Sequence, residues 1–262
     1  GVRAVASHLG IPTIPALPVP DGEDGLEQAA GLELPIYVKA VAGGVVLRVD
    51  AYDEVPSAVR EVRRRARWLT GQDHVYLSAG LHEVRQLGIT VVREPGDRAY
   101  ALGPSDKSVQ VRFRSWLEEC GSEVVDNEVG AAMADAACKL VEVLEIGGVV
   151  RVRFAGDGRG GHWLLGISGR QTTGYSLTEQ VFDVDLIDTQ IRLALGEPLG
   201  WEGADTTPTR HGVQLRILHV DPRDGVSRPE GVLERLDLPE GVTAEVGVGV
   251  GQRCTTETEP LL

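Results

Sequence analysis

The six histidines are scattered, in neither an H-E-x-x-H nor an H-x-H arrangement, so no imidazole pair is spaced to grip a metal from one helix face. Cys120, Cys138 and Cys254 are odd in number, far apart, and form neither a C-x-x-C pair nor a cluster with histidine, so they read as reduced and structural. Gly166-Ile167-Ser168-Gly169 approaches the nucleophile elbow G-x-S-x-G but brings its second glycine one residue early; Ser168 then reads as an ordinary strand-end serine. The glycine-rich run from Gly156 to Gly161 could cradle phosphate with its amides. No Lys-Ser or Lys-Thr follows it and no helix starts there, so a hairpin turn is the better reading. Asp21, Glu23 and Asp24 lack the full alternating ligand set of a calcium loop and read as a solvated turn. Acidic residues abound, yet no two are spaced as an acid and base couple.

These residues need elements to hold them. A chain of 262 residues with 42% hydrophobic content can bury a sizeable core as one large domain or two smaller ones. Its formal net charge of -13 repels phosphate backbones and anionic lipid, so neither nucleic acid nor membrane is expected as a partner. The apolar runs are short and interrupted by charge, which leads to the expectation of a soluble, cytoplasmic protein. The chain opens on Gly1 and stops at Leu262, and either end is open to having been trimmed.

Apolar spacing predicts a short helix over Val2 to Leu9, an extended run from Pro12 to Pro20, and strands at Ile36 to Val41 and Val45 to Val49 joined by Gly43-Gly44. A helix follows from about Glu54 to Leu69, whose arginines read as a solvated face. Further strands are expected at Val75 to Leu77, Leu87 to Val92 and Arg98 to Leu102, then a helix capped by Asn127 and ended by Gly147-Gly148. Strands at Val149 to Phe154 and Trp163 to Ile167, a helix from Asp185 to Leu195, and short strands at Val213 to Leu218, Gly231 to Leu236 and Ala244 to Val248 complete the pattern.

The run Leu34-Pro35-Ile36-Tyr37-Val38-Lys39-Ala40 with Gly43-Gly44 resembles the lid strand of the biotin carboxylases. Leu177-Thr178-Glu179, Asp185-Leu186, Gln190-Ile191, Ala194 and Gly196-Glu197-Pro198-Leu199 are similar, spacing included, to that family's signature after its catalytic strand. Arg85-Gln86, Asp106 to Gln110, and His211 through Arg216-Ile217 resemble further segments in the same order. The resemblance implies an α+β, ATP-grasp-like fold. A helical segment over 1–12, a lid-like subdomain over 13–79 and an antiparallel-sheet subdomain over 80–262 are expected, without the family's preceding nucleotide-fold domain and without the end of its last domain.

The resemblance also implies departures where that family does its chemistry. Arg153 and Gly166 stand at its two metal-binding glutamates, Ser168 at its metal-binding asparagine, and Gly174 at its catalytic glutamate. Ser78 stands where adenine recognition begins, Phe113 and Ser115 replace its His and Lys, and the glycine lid is shortened. Arg170 and Arg216 match the arginines that hold bicarbonate and stabilise the biotin enolate, and are expected to be catalytic. Lys39, Arg153, Gln110, Ser168 and Tyr175 are expected to bind ligand, with no metal and no cofactor.

From this follows the expectation of an ATP-independent, repurposed protein that binds a small organic carboxylate or acyl metabolite, of cyclase or lyase type. A noncatalytic subunit of an acyl-CoA carboxylase assembly is the alternative, and active carboxylation comes third. The first is favoured because Gly166, Ser168, Thr172 and Gly174 are small and should open the cleft. The arginines either floor a pocket or pair with carboxylates. The uncovered scaffold surface suggests a homodimer or carboxylase subunits as partners.

Overall fold

The computed structural model describes residues 1–81, 84–111, 114–121, 125–201, 206–221, 223 and 229–255. Helix α1 (Val2–His8) leads through an extended run into a four-stranded antiparallel sheet of β1 (Ala16–Val19), β2 (Ile36–Ala40), β3 (Val46–Val49) and β4 (Val75–Ala79). The strands are ordered β1-β4-β2-β3, with the short helix α2 (Leu26–Ala29) after β1 and the long α3 (Val55–Thr70) between β3 and β4. Pro56 sits in the first turn of α3, where its missing N–H costs nothing, and Gly71 ends the helix in the left-handed conformation that a Cβ disfavours. Val55, Val59, Val62 and Ala66 form one apolar stripe, and they bury Ile36, Val38, Val49 and Leu77 beneath them. Because Ile36, Val38 and Ala40 are spent on that core, Tyr37 and Lys39 belong to the opposite face of the sheet.

The arginines of α3 are not uniformly solvated as expected. Arg63 donates to the backbone carbonyls of Val19, Pro20 and Glu23 at 3.2, 2.6 and 2.7 Å, closing the acidic turn over the helix. Arg64 and Arg65 pair with Glu61 on the surface.

The second sheet is built from β5 (Arg85–Arg93), β6 (Ala99–Asp106), the small ribbon β7 (Gln110–Val111) and β8 (Arg114–Ser115) set beside it, and β9 (Leu117–Cys120). Helix α4 (Asn127–Val143), β10 (Gly148–Gly156), β11 (His162–Ser168), α5 (Tyr175–Phe182), α6 (Leu186–Ala194) and β12 (Gly212–Leu215) follow. A last pair, β13 (Gly231–Val232) and β14 (Arg253–Cys254), stands apart. The six-stranded order is β11-β10-β5-β6-β9-β12.

Strand alternation gives this sheet two apolar faces. Val150, Val152 and Phe154 join Ile89 and Val91 against α4 and α1, whereas Val149 and Val92 join Leu102 against α5 and α6. The odd positions of β10 therefore carry Arg151 and Arg153 along the α5 side. The residues that most resemble a family signature have structural work here. Glu179 accepts from the amides of Leu186 and Ile187, Asp185 caps α6 through the Asp188 amide, and Gln190 accepts from the Val149 amide.

Three expectations change. Asp126, not Asn127, caps α4, because its carboxylate accepts from the amides of Glu128 and Val129. Residues Ala244 to Val248 form no strand among the described residues and lie largely exposed, an apolar alternation without a partner. Helix α5 was not foreseen; its start at Tyr175 follows a glycine, which hides the usual polar cap signal. Between Gly156 and Gly161 the chain makes the expected hairpin, closed by Asp157 accepting from the Arg159 and Gly161 amides.

Candidate functional site

Glu118 on β9 is 1% exposed, and its surroundings are unusual for a carboxylate. Arg151 donates from Nη2 to Glu118 Oε1 at 2.7 Å and to Ser105 Oγ, and from Nη1 to Thr90 Oγ1 at 2.7 Å. Ser105 donates to the same Oε1 at 2.6 Å. Lys107 Nζ and Arg216 Nη2 stand 3.5 and 3.7 Å from Oε2, which itself accepts no hydrogen bond among the described residues. Three cations thus face one carboxylate in a nearly dry site.

The backbone is shaped to allow it. A Cβ at Gly88 would lie 2.5 Å from Arg151 Nε, and one at Gly174 would lie 2.7 Å from Glu118 Cδ, so a side chain at either position would have to displace the pair. Burial alone would raise the Glu118 carboxyl, but Arg151 first, then Lys107, Ser105 and Arg216, hold it below its ordinary range. Lys107 is pushed down to about 8, by burial first and then by Arg151. Burial pushes the neighbouring Cys120 thiol up to about 11, so it is no ready nucleophile.

Lys39 stands on the face of β2 turned away from the α3 core. Lys39 is half-buried and stacks its ammonium 5.5 Å from the Tyr37 ring. Its pKa is lowered by burial first, then by the charges of Arg3 on α1 and Arg153 on β10. Arg153 faces Gly166 across the β10–β11 pairing, with Nη2 3.4 Å from where a Cβ at Gly166 would stand. The Leu164 amide donates to the Pro12 carbonyl at 2.7 Å, fastening the segment that enters the first sheet onto β11.

The remaining expected positions are distributed as follows. Arg170 is exposed and, with Arg151, Gln171, Thr172 and Tyr175, borders a cavity of only about 10 Å³. Arg216 is held against Glu118 rather than left free of carboxylates. Gln110 donates its side-chain amide to the Lys107 carbonyl at 2.7 Å, and the Ser168 hydroxyl exchanges contacts with the Arg170 backbone at 3.3 and 3.4 Å. Tyr175 opens α5, where Glu245 raises its phenol. Ser78 and Ser115 are buried, their hydroxyls bonded to the carbonyls of Ala79 and Leu117, and Phe113 lies outside the described residues.

The small residues do not open the cleft as expected, because charged side chains fill the room they leave. Glu118 takes the space at Gly174 and Arg153 leans over Gly166. A much larger cavity, about 670 Å³, lies elsewhere, between α4 and β6, lined by Tyr100, Pro104, Asn127 and Phe182 among others. Glu118, Arg151, Lys107 and Ser105 were not singled out by the sequence. The available signal was Val149-Val150-Arg151-Val152-Arg153-Phe154, two arginines two residues apart inside an apolar strand, and so on one face of it.

Magnesium is implied by the resemblance, and the donor set does not fit it. The three positions offer a guanidinium, a glycine without a side chain, and a hydroxyl already engaged with the Arg170 backbone. A hard dication needs anionic or carbonyl oxygens, and arginine keeps its charge throughout the accessible pH range.

A small antiparallel sheet carrying a lysine strand, set on a larger antiparallel sheet with helices on both faces, defines an ATP-grasp fold of the biotin-carboxylase type. Residues 2–201 match the model of the carbamoyl-phosphate synthase L chain, ATP binding domain, and the chain belongs to that family. It is 29% identical over 247 residues to biotin carboxylase 1, chloroplastic, of Populus trichocarpa, covering 91% of this chain and 46% of that protein. The chain spans about half the length of the curated relatives it matches. Among solved structures it is similar to the biotin carboxylase domain dimer of Hydrogenobacter thermophilus 2-oxoglutarate carboxylase, in complex with MgADP, ADP and bicarbonate. The TM-score is 0.92 at 22% identity, covering 100% of this chain and 60% of that one. It is also similar to the biotin carboxylase–βγ-ATP complex from Campylobacter jejuni, with a TM-score of 0.90 at 18% identity, covering 99% of this chain and 59% of that one.

These relatives overturn the expectation of an ATP-independent, repurposed protein. They are biotin carboxylases, and the structural neighbours hold adenine nucleotides and, in one case, bicarbonate. The expectation read the loss of carboxylates as the loss of the whole activity, whereas both sheets of the fold are present, with Lys39 on β2. Among the described residues no helix is long and apolar enough to cross a membrane.

Proposed function

We propose that this chain is the ATP-binding part of a biotin-carboxylase-type protein, with adenine nucleotide lodged between the lid sheet and the six-stranded sheet. The observation that carries the reading is the match of residues 2–201 to an ATP-binding domain. Lys39 would bind phosphate as a mobile point charge, stabilised there by electrostatic attraction in a half-buried site. The excess positive charge of Lys107, Arg151 and Arg216 over Glu118 would favour an anion at the rim of that cluster. Glu118 keeps the cations aligned, and the low pKa of Lys107 makes it the group there able to give up a proton near neutral pH.

The protein would act as a homodimer within a carboxylase assembly. A reducing, cytoplasmic setting accords with the free thiols of Cys120, Cys138 and Cys254. Calorimetric titration of the chain with ADP and with ATP, each with and without bicarbonate, tests the reading. Saturable nucleotide binding is expected; heat indistinguishable from dilution in a folded sample would refute it.

A further inference from the structure

We propose that Lys107 is a carbamylation site: its amine takes up dissolved carbon dioxide, and Glu118 and Arg216 hold the resulting carbamate in the buried cluster. The inference stands on the geometry of that cluster and is independent of nucleotide binding.

Lys107 directly follows β6, and its backbone is pinned on both sides. Its amide donates to the Gln86 carbonyl at 2.8 Å, and its carbonyl accepts from the Gln110 side chain at 2.7 Å. From there Nζ reaches to 3.5 Å from Glu118 Oε2, with 12% of the side chain exposed. Arg216 comes from the opposite side of β9, just past the edge strand β12, where its amide donates to the Trp116 carbonyl at 2.9 Å. Its Nη2 stands 3.7 Å from the same Oε2. Both nitrogens therefore face one oxygen, which accepts no hydrogen bond among the described residues, whereas Oε1 is taken by Arg151 and Ser105.

The chain has only three lysines, Lys39, Lys107 and Lys139, among its 26 lysines and arginines. Of Lys107, Arg151 and Arg216, only the lysine can give up its charge. Burial first, then Arg151, brings its pKa down to about 8, so free amine is present in mildly alkaline solution. The amine lone pair attacks the carbon of carbon dioxide. A C–N bond forms, one C=O electron pair moves onto oxygen, and a proton leaves the nitrogen for solvent. Carbon dioxide carries no charge, so it enters a desolvated site at lower cost than bicarbonate does. The carbamate N–H then donates to the unfilled Oε2, and its oxygens accept from Arg216. Two anions now balance two arginines, where before three cations surrounded one carboxylate.

The test is chemical trapping. Folded wild type, Lys107→Arg and Arg216→Met are incubated with isotope-labelled bicarbonate at the pKa of Lys107, about 8. Trimethyloxonium then methylates any carbamate, and the digest is mapped by mass spectrometry. Label is expected on Lys107 and not on Lys139, which is exposed and paired with Asp135. Arg216→Met should lower the labelling of Lys107 by roughly tenfold, the loss of one charge-assisted hydrogen bond. Lys107 unlabelled in the folded wild type, labelled no more than Lys139, or labelled equally without Arg216 overturns the inference. Bicarbonate that stabilises the wild type against heat without labelling Lys107 is a non-covalent anion, and overturns it too. None of these results bears on nucleotide binding, which the titration with ADP and ATP decides separately.

Discussion

The carboxylate of Glu118 and the bare backbone of Gly174 share one space: a Cβ at residue 174 would stand 2.7 Å from Glu118 Cδ. Residue 174 is where the resemblance places a catalytic glutamate, and a carboxylate reaches the same place from β9 instead. With Arg151, Lys107 and Arg216 around it, Glu118 is the sole anion of the cluster among the described residues. Glu118→Gln keeps the shape and leaves buried cations uncompensated, so it should cost about 3–5 kcal/mol of stability. Urea unfolding at pH 7 checks this, and a loss below about 1 kcal/mol would show that water reaches the site.

Arg151 and Arg216 should respond differently to the same change. Arg151 is buried and bonded to Glu118, Ser105 and Thr90, so Arg151→Met should destabilise by about 3–5 kcal/mol. Arg216 stands 3.7 Å from Glu118 and is opposed by burial and by Arg151, so Arg216→Met should change stability by less than about 1 kcal/mol. Equal losses in the two variants would mean that Arg216 is as much a structural partner as Arg151.

Steric dependence between Gly174 and Glu118 is open to a double-mutant cycle. Gly174→Ala should cost about 1–3 kcal/mol in the native background, as overpacking does. In a Glu118→Ala background most of that cost should vanish, giving a coupling of about 1 kcal/mol or more. Additive losses would contradict the shared-space geometry.

Lys107 gives the cluster a pH signature. Its folded pKa, about 8, lies below the ordinary 10.5, so the unfolded chain holds more protons on this group between those values. Its contribution to stability should therefore rise as pH increases from about 8 to 10.5 and be flat below. Denaturation midpoints measured across that window should climb for the wild type relative to Lys107→Met, and a parallel pH profile in the two proteins would count against the assignment.

The sequence by itself determined the α+β class, the strand β2 with Lys39, the helices α3 and α4, and the glycine hairpin after β10. Each is written in local periodicity or in a short motif whose cause is backbone geometry. It also determined that an arginine and a glycine, neither of them a carboxylate, stand at 153 and 166. It misjudged the consequence of small residues, because the volume released at Gly174 is filled by a side chain 56 residues away in sequence, delivered by the pairing of β9 with β6 and β12. Likewise Arg151 is a buried cation rather than a surface one only because Thr90, Ser105 and Glu118 converge on it from three other strands. Local spacing cannot report such meetings: the cost of burying a charge is met by partners that only sheet order brings within hydrogen-bonding distance.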